Sequence, residues 1–411
     1  MIELFLTILF SLLAAINFAV LVLFSLPERK YRRFCPPLSV IIPAHNEEKY
    51  IAATISSVQA SVYGNKKEII VVDDGSTDNT GKIVGAISKK SRNVRLFSVK
   101  HSGKSAALNY GLRKARFDIV AFVDADSAVA KDSLLQLVAP LAGKDVSISS
   151  GVIRARHTGN PLSWLQDIDY ISSSGWRYAC DKIGATYVSP GFAAFKKHDL
   201  LKIGGFSSDT LTEDIDTTLI MRRSGYGAAM TRASMLTSVP STLRSFVKQR
   251  IRWGRGSIQT AKKHSGMLFG RPRRIGFYSF PMHLFWYPFS LFYLPFAIYW
   301  MFAVYASSSI SFPLATAVFF AKWITIYGIA DLFYSLMTGA YALSPLLLSI
   351  ILSWLLSFVY LLAAARKFGA FSWKMLAYLV IFPYFWITFA VQAYALVREL
   401  LHPGKGKNLW N

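Results

Sequence analysis

Apolar positions in the first third of the chain cluster in short runs. Leu38–Ile42, Glu68–Val72, Val94–Val99 and Asp118–Val123 are rich in Val and Ile and lack clean alternation, the pattern of strands buried on both faces. Helical stretches such as Tyr50–Ala60 and Gly81–Ser88 separate the early runs. Strand–helix alternation at this spacing predicts βαβ units and a doubly wound parallel sheet. Ligands of such sheets bind beyond the carboxyl ends of the strands. Polar motifs stand at those ends: Pro43–Glu47, Asp73–Asp78 and Asp124–Asp126.

Much longer apolar runs occupy both ends of the chain. Residues 2–26 form one, followed by Arg29, Lys30, Arg32 and Arg33. A signal peptide carries its charge before the apolar core, so this run reads as an uncleaved anchor with its basic flank in the cytosol. Four more runs follow Arg274, at 278–305, 313–337, 344–365 and 375–397. Each is long enough for about 30 Å of hydrocarbon. The expectation is a multi-pass protein of the cell membrane with five crossings. Its parts are an anchor (1–27), a cytosolic domain (36–240), a basic interfacial segment (241–276) and membrane helices (277–400). Five crossings put the loop with Arg366, Lys367 and Lys374 outside, against the charge rule. Tyr278–Leu294, rich in Phe, Tyr and Pro, is the candidate interfacial piece, and Lys322 and Asp331 are candidates for a polar path.

Charge narrows the partners. Lys and Arg number 46 against 23 Asp and Glu among 411 residues, a net charge of +23. No helix-turn-helix, zinc-finger or RNA-binding signature accompanies it. A lipid bilayer and phosphorylated substrates are therefore the expected partners, and nucleic acid is not. Two cysteines, Cys35 and Cys180, offer neither a disulfide framework nor metal-ligand spacing, which suits a cytosolic domain.

Each polar motif admits a structural and a functional reading. Asp73-Asp74-Gly75-Ser76 is either a turn or a carboxylate pair facing a nucleotide. Two residues apart on extended backbone, Asp124 and Asp126 would face one side, where hard oxygen ligands suit Mg²⁺ or Mn²⁺. His101–Asn109 lacks the full Walker spacing, yet Lys104 beside a helix start is placed to meet phosphate. Glu213, Asp214 and Asp216 either favour a helix dipole or include a general base. Gln249-Arg250-Ile251-Arg252-Trp253 sits among cations, fit for an anionic membrane surface or for diphosphate and sugar.

In this order, Asp74, Asp124-x-Asp126, Thr212-Glu213-Asp214 and Gln249-x-x-Arg252-Trp253 resemble the signatures of processive family 2 glycosyltransferases. Pro43–Glu47, Gly103–Asn109 and Gly191–Gly205 match as well. The resemblance spans the whole chain and is nearest to poly-β-1,6-N-acetylglucosamine synthases, with hyaluronan and chitin-oligosaccharide synthases next. It implies a GT-A fold, an α/β doubly wound, mixed but mainly parallel sheet, joined to α-helical transmembrane segments. It implies a UDP-sugar donor, a growing glycan acceptor and Mg²⁺ or Mn²⁺; small membrane subunits accompany some relatives. By the same resemblance Asp214, beside Glu213, is the base, and Asp126 with Asp124 holds the cation. Glu47, Asp73 and Asp74 would contact uridine, and Pro43 and Asp124 belong with the substrate-binding residues. Lys104, Gln249, Arg250 and Arg252 would gather at the diphosphate, and Trp253 would stack on the acceptor. Lys196-Lys197 stands where an Arg pair is common, and the phosphate loop is reduced to His101 and Lys104, which leaves the donor sugar open. The alternatives are a transferase adding one sugar to a lipid, and a non-catalytic membrane protein with a nucleotide-sensing domain.

Overall fold

A computed structural model of the protein describes residues 2–187, 191–306, 314, 316–318, 321, 322, 327–340 and 342–404. Its centre is a sheet of β1 (Leu38–Ala44), β2 (Lys67–Asp74), β3 (Val94–Val99), β4 (Ile119–Val123), β5 (Ser127–Val129), β6 (Val146–Ala155), β7 (Phe192–Lys196) and β8 (Gly227–Thr237). The order is β3-β2-β1-β4-β7-β6-β8-β5. The four expected strands are present, and β1 and β2 run two residues further than their apolar cores.

β1, β2 and β3 step outward in parallel, and β4 then returns to the other side of β1. That reversal is a topological switch point, where the crevice of an open α/β sheet lies. β1 pairs with β4 only as far as Ile41↔Phe122, so Ile42, Pro43 and Ala44 continue along β2 alone and a gap opens. β7 runs antiparallel to β4 with Val123 opposite Phe192, which brings Gly191 against Asp124. β6 and β8 pair in parallel beyond it.

The helices, in chain order, are α1 (Ile2–Ser25), α2 (Ile51–Ala60), α3 (Thr80–Lys90), α4 (Lys104–Lys114), α5 (Ser133–Val138), α6 (Pro161–Lys182), α7 (Lys197–Lys202), α8 (Glu213–Arg223), α9 (Leu243–Lys263), α10 (Phe280–Ala306), α11 (Tyr327–Met337), α12 (Pro345–Lys367) and α13 (Phe382–Leu401). Alternate strand residues feed opposite faces of the sheet. Val40, Ile42, Ile69 and Val71 pack with α2, whereas Ile41, Ile70 and Val72 pack with Leu108 and Leu112 of α4.

Two helices among the described residues are long and apolar enough to cross a membrane, Glu3–Ser25 and Pro345–Lys367; Trp373–Val380 with Pro383–Leu401 makes a third if that bent pair is one span. α1 and α12 run parallel. Asn17 Nδ2 donates to Ser357 Oγ at 2.8 Å, and nearer the domain Lys367 Nζ donates to Phe24 O at 2.8 Å. Lys374 Nζ lies 3.1 Å from His157 Nδ1 of the sheet domain. The basic loop therefore lies at the domain end of the helix pair, not across the membrane as five crossings require. There Lys367 meets the carbonyl of Phe24 and the rings of Phe24 and Tyr178. Much of the expected span at 313–337 lies outside the described residues; Lys322 and Asp331 ion-pair with each other at 2.6 Å. α13 bonds to α9 near both of its own ends, through Tyr384 and Glu399.

At Gly111 α4 comes so close to the sheet that a Cβ would stand 2.5 Å from Cγ2 of Ile41 and 3.3 Å from Cγ2 of Val72. Gly111→Val is therefore expected to destabilise the domain by about 1–3 kcal/mol. A lowered unfolding midpoint, followed by tryptophan fluorescence in detergent, checks this; an unchanged midpoint would show that α4 has room to move.

Candidate active site

Past β4 the chain turns rather than continuing straight: Ser127 N–H donates to Asp124 O at 3.1 Å. Asp124 and Asp126 thus both reach the cavity through a turn, not through the extended backbone expected from their spacing. Asp124 Oδ1 accepts from Lys104 Nζ at 2.7 Å. Asp126 Oδ1 accepts from Ser127 Oγ at 3.0 Å and Thr237 Oγ1 at 3.1 Å. Burial, and then the charge of Asp124, push the Asp126 carboxyl above its usual range. A cation beside the Asp126 carboxyl would favour its charged form. Oxygen donors of this kind fit Mg²⁺ or Mn²⁺.

Lys104 owes its position to Asp74. The Asp74 carboxylate accepts from Ser102 N at 2.8 Å and Gly103 N at 2.8 Å. Gly103 turns the chain with φ +90°, a region that favours glycine, and Lys104 then opens α4. Its Nζ sits 2.7 Å from Asp124 and 3.3 Å from Glu213 Oε1. Burial works against its charge, but Asp124 and Glu213 more than compensate and hold its pKa above the usual lysine range. Asp73 likewise accepts from Ser76 N at 3.1 Å. Both carboxylates, expected at uridine, are buried beneath the cavity and shape its loops. Beside them the rings of His45 and His101 stack with centroids 4.3 Å apart, each Nδ1 within 3.0 Å of Asp74 O. An Nδ1 that donates to the Asp74 carbonyl has no lone pair left for an ion, so the close grouping of His45, Asp74 and His101 is a poor chelator in that arrangement.

Asp214 sits in the first turn of α8, its Oδ1 accepting from Ile215 N at 2.9 Å. Burial, and then the neighbouring Glu213, push its pKa up to about 6, with Lys104 pulling the other way. Burial with Asp126, Asp124 and Asp78 pushes Glu47 up to about 7. Asp216 faces away, bonded to His264 Nε2 at 2.6 Å and Lys263 Nζ at 2.7 Å. The acidic motif thus divides between a cavity group and a buried bolt.

α9 supplies the far wall. Arg250 Nη2 pairs with Asp169 Oδ2 at 2.6 Å and donates to Tyr384 Oη at 2.8 Å, while its guanidinium lies 4.6 Å from the Trp253 ring centroid. Arg250, expected at the diphosphate, lines the cavity and is ion-paired there with Asp169. Arg252 donates to Leu211 O at 3.4 Å and has no carboxylate partner among the described residues. The buried Gln249 Oε1 also lacks a hydrogen bond there. One cavity of about 480 Å³ runs from Lys104 and Asp124 past Asp214 and Trp253 to Tyr287 and Gln392.

Residues 39–204 match the sequence model of glycosyl transferase family 2. These residues are a family 2 glycosyltransferase domain. Curated relatives agree: the poly-beta-1,6-N-acetyl-D-glucosamine synthase of Staphylococcus aureus is 31% identical over 227 residues, 53% of this chain and 54% of that protein. The same-named protein of Staphylococcus epidermidis is 30% identical over 224 residues, with the same shares. The chain thus spans about half the length of the curated relatives it matches. A solved mannosyltransferase from Pyrobaculum calidifontis, in complex with GDP-Man and Mn²⁺, superposes with a TM-score of 0.58 and 25% identity, covering 89% of this chain and 99% of that one.

Within the glycosyltransferase domain, one wall of the cavity escaped the sequence reading. Asp169, Tyr170, Ser173, Ser174 and Arg177 of α6 all line it. The available signal was their spacing, which puts them on one face of a helix. Tyr170 and Trp253 hold their ring centroids 6.1 Å apart, and burial lowers Arg177 to about 10 despite nearby Asp214.

A Cβ at Gly191 would overlap the Asp124 carboxylate. Gly191→Ala is therefore expected to weaken Mn²⁺ binding by about 10- to 100-fold, the range for a residue that orients a ligand, with the fold intact by circular dichroism. Mn²⁺ titration followed by electron paramagnetic resonance checks it; unchanged affinity would remove Asp124 from the ion's ligands.

Proposed function

We propose that the protein is a membrane-bound inverting glycosyltransferase that moves a sugar, N-acetylglucosamine first among the candidates, from a nucleotide diphosphate onto a growing glycan. The carrying observation is the single cavity joining the carboxylate pair at the sheet's switch point, Asp214, and the membrane-side residues Tyr287 and Gln392. The names of the curated relatives support UDP-N-acetylglucosamine as the first donor to try. The GDP-Man bound in the solved mannosyltransferase adds GDP-mannose to the panel.

In this reading Asp214 takes the proton of the acceptor hydroxyl as that oxygen bonds to the anomeric carbon. The bond from that carbon to the diphosphate breaks on the opposite face, and the configuration inverts. Lys104, Gln249 and Arg252 surround the diphosphate and replace water with fixed donors. Asp124 and Asp126 would hold the divalent cation, which when bound offsets charge on the departing nucleotide. Glu213 keeps Lys104 in place, and Trp253, with Tyr170 beside it, receives the acceptor sugar. The domain lies in the cytosol, since Arg29–Arg33, Lys367 and Lys374 share its side. The product passes outward between the apolar helices. A second reading, transfer of one sugar to a membrane lipid, is favoured by the position of Tyr287 and Gln392 on apolar helices that a lipid acceptor would reach.

Purified protein in nanodiscs with Mn²⁺ or Mg²⁺ should release UDP from UDP-N-acetylglucosamine and yield long product on a sizing gel. A single labelled glycolipid would replace polymerisation by the lipid reading. A lack of transfer from UDP-N-acetylglucosamine, UDP-glucose, UDP-glucuronate and GDP-mannose alike would overturn the transferase. Asp214→Asn is expected to lower kcat by about 10²- to 10⁴-fold while leaving nucleotide affinity within about twofold. A base works only when ionised, so the wild-type rate should rise with pH through about 6, where Asp214 loses its proton, and fall away below it. A rate flat between pH 5 and 7 would exclude Asp214 as the base.

A further inference from the structure

A buried polar chain behind the cavity ties the C-terminal helix to the catalytic segment. Glu399, near the end of α13, is only 6% exposed, a costly place for a carboxylate without partners. Its Oε2 accepts from Nε of the wholly buried Arg255 at 2.9 Å. Its Oε1 accepts from Gln259 Nε2 at 3.1 Å and from Gly404 N at 2.9 Å. Gln259 turns its other end toward the catalytic segment, its Oε1 accepting from Leu211 N at 3.1 Å. Only one orientation of that amide serves both a carboxylate and an N–H, so the carboxylate sets which way Gln259 faces.

The same segment meets α9 at further points. Leu211 O accepts from Arg252, and Thr212 Oγ1 lies 3.1 Å from Thr260 Oγ1. Gly256 approaches so closely that a Cβ there would stand 2.6 Å from Thr212 Cγ2. Glu213 and Asp214 follow directly. Among the described residues the hydrogen bonds of Asp214 are local to α8, with Ile215 and Thr218. Its place in the cavity is therefore the place of the backbone before it.

We propose that Glu399 is a positioning residue for sugar transfer: through Arg255 and Gln259 it fixes Leu211 and Thr212, and so the location of Asp214. This rests on the reading of Asp214 as the base. A displacement of about 1 Å at a reacting group is enough to cost roughly 10²-fold in rate.

The test uses full-length protein in nanodiscs and two variants, Glu399→Gln and Gln259→Met, the second leaving no buried charge unpaired. Hydrogen–deuterium exchange should be faster at the amides of residues 211–215 in both, and this readout needs no activity. With the donor that wild type uses, kcat should fall about 10- to 100-fold while nucleotide affinity stays within about twofold. The acid limb of the pH profile should move to lower pH, because a loosened Asp214 is better hydrated and its pKa drops toward the ordinary carboxylate value. Mere loss of folded protein would lower nucleotide-binding stoichiometry and leave the limb where it was, and that result overturns the proposal. So does unaltered exchange at 211–215 in both variants. Inactive wild type together with faster exchange in the variants would sink the transferase reading but keep the link from Glu399 to the segment.

Discussion

Repulsion among crowded, half-buried carboxylates is the constraint around which the site is arranged. Glu47, Asp124, Asp126, Glu213 and Asp214 line one cavity, and burial raises the proton affinity of several of them. Lys104 is the internal counterweight, bridging Asp124 and Glu213. An ammonium at that point lets the two halves of the site approach, one from the end of β4 and the other from the start of α8. Its reach depends on Gly103 and on the Asp74 carboxylate that ties down the preceding amides. Much of the first half of the sheet can thus be understood as support for one lysine.

That dependence explains which parts of the fold were legible in the chain. Strands β1, β2 and β4 have apolar cores whose ends carried the polar motifs, so the parallel half and its crevice followed from pattern, although β3, an edge strand with Arg95 and Ser98, is not buried on both faces. The second half did not. β6 and β8 hold Ser, Thr, Arg and Gly among their apolar residues, and their register is interrupted between Ser150 and Val152. No local period marks such strands. Asp74 shows another limit: its chemistry was plain, but its partners are backbone amides nearly thirty residues on, which composition does not reveal. Arg250 was assigned to phosphate by its motif, yet Asp169 on α6 claims it, a long-range pairing invisible along the chain.

Hydropathy was similarly informative about existence and silent about direction. It marked α1 and α12 as apolar, but not that they run parallel. The cations at Arg366, Lys367 and Lys374 carried the better signal, since charge near a membrane span favours one side. The contacts of Lys367 with Phe24 and of Lys374 with His157 place that loop at the domain end of α1 and α12.

The basic helix α9 was expected to lie on lipid, and it also completes the site from behind. Its cavity face presents Gln249, Arg252 and Trp253, and its opposite contacts run to Tyr384, Ala395 and Glu399 of α13. Small residues permit this: Gly254 meets Ala395 and Gly256 meets Thr212, so two helices and a loop close to backbone distance around one axis. A segment held at its N–H, its carbonyl and its side chain by a single helix inherits the rigidity of whatever holds that helix. Here that is a carboxylate and an apolar surface about 140 residues further along the chain. Domain and C-terminal helices are on these contacts one mechanical unit, because the residue proposed as base has no long-range hydrogen bond among the described residues and must take its coordinates from α9.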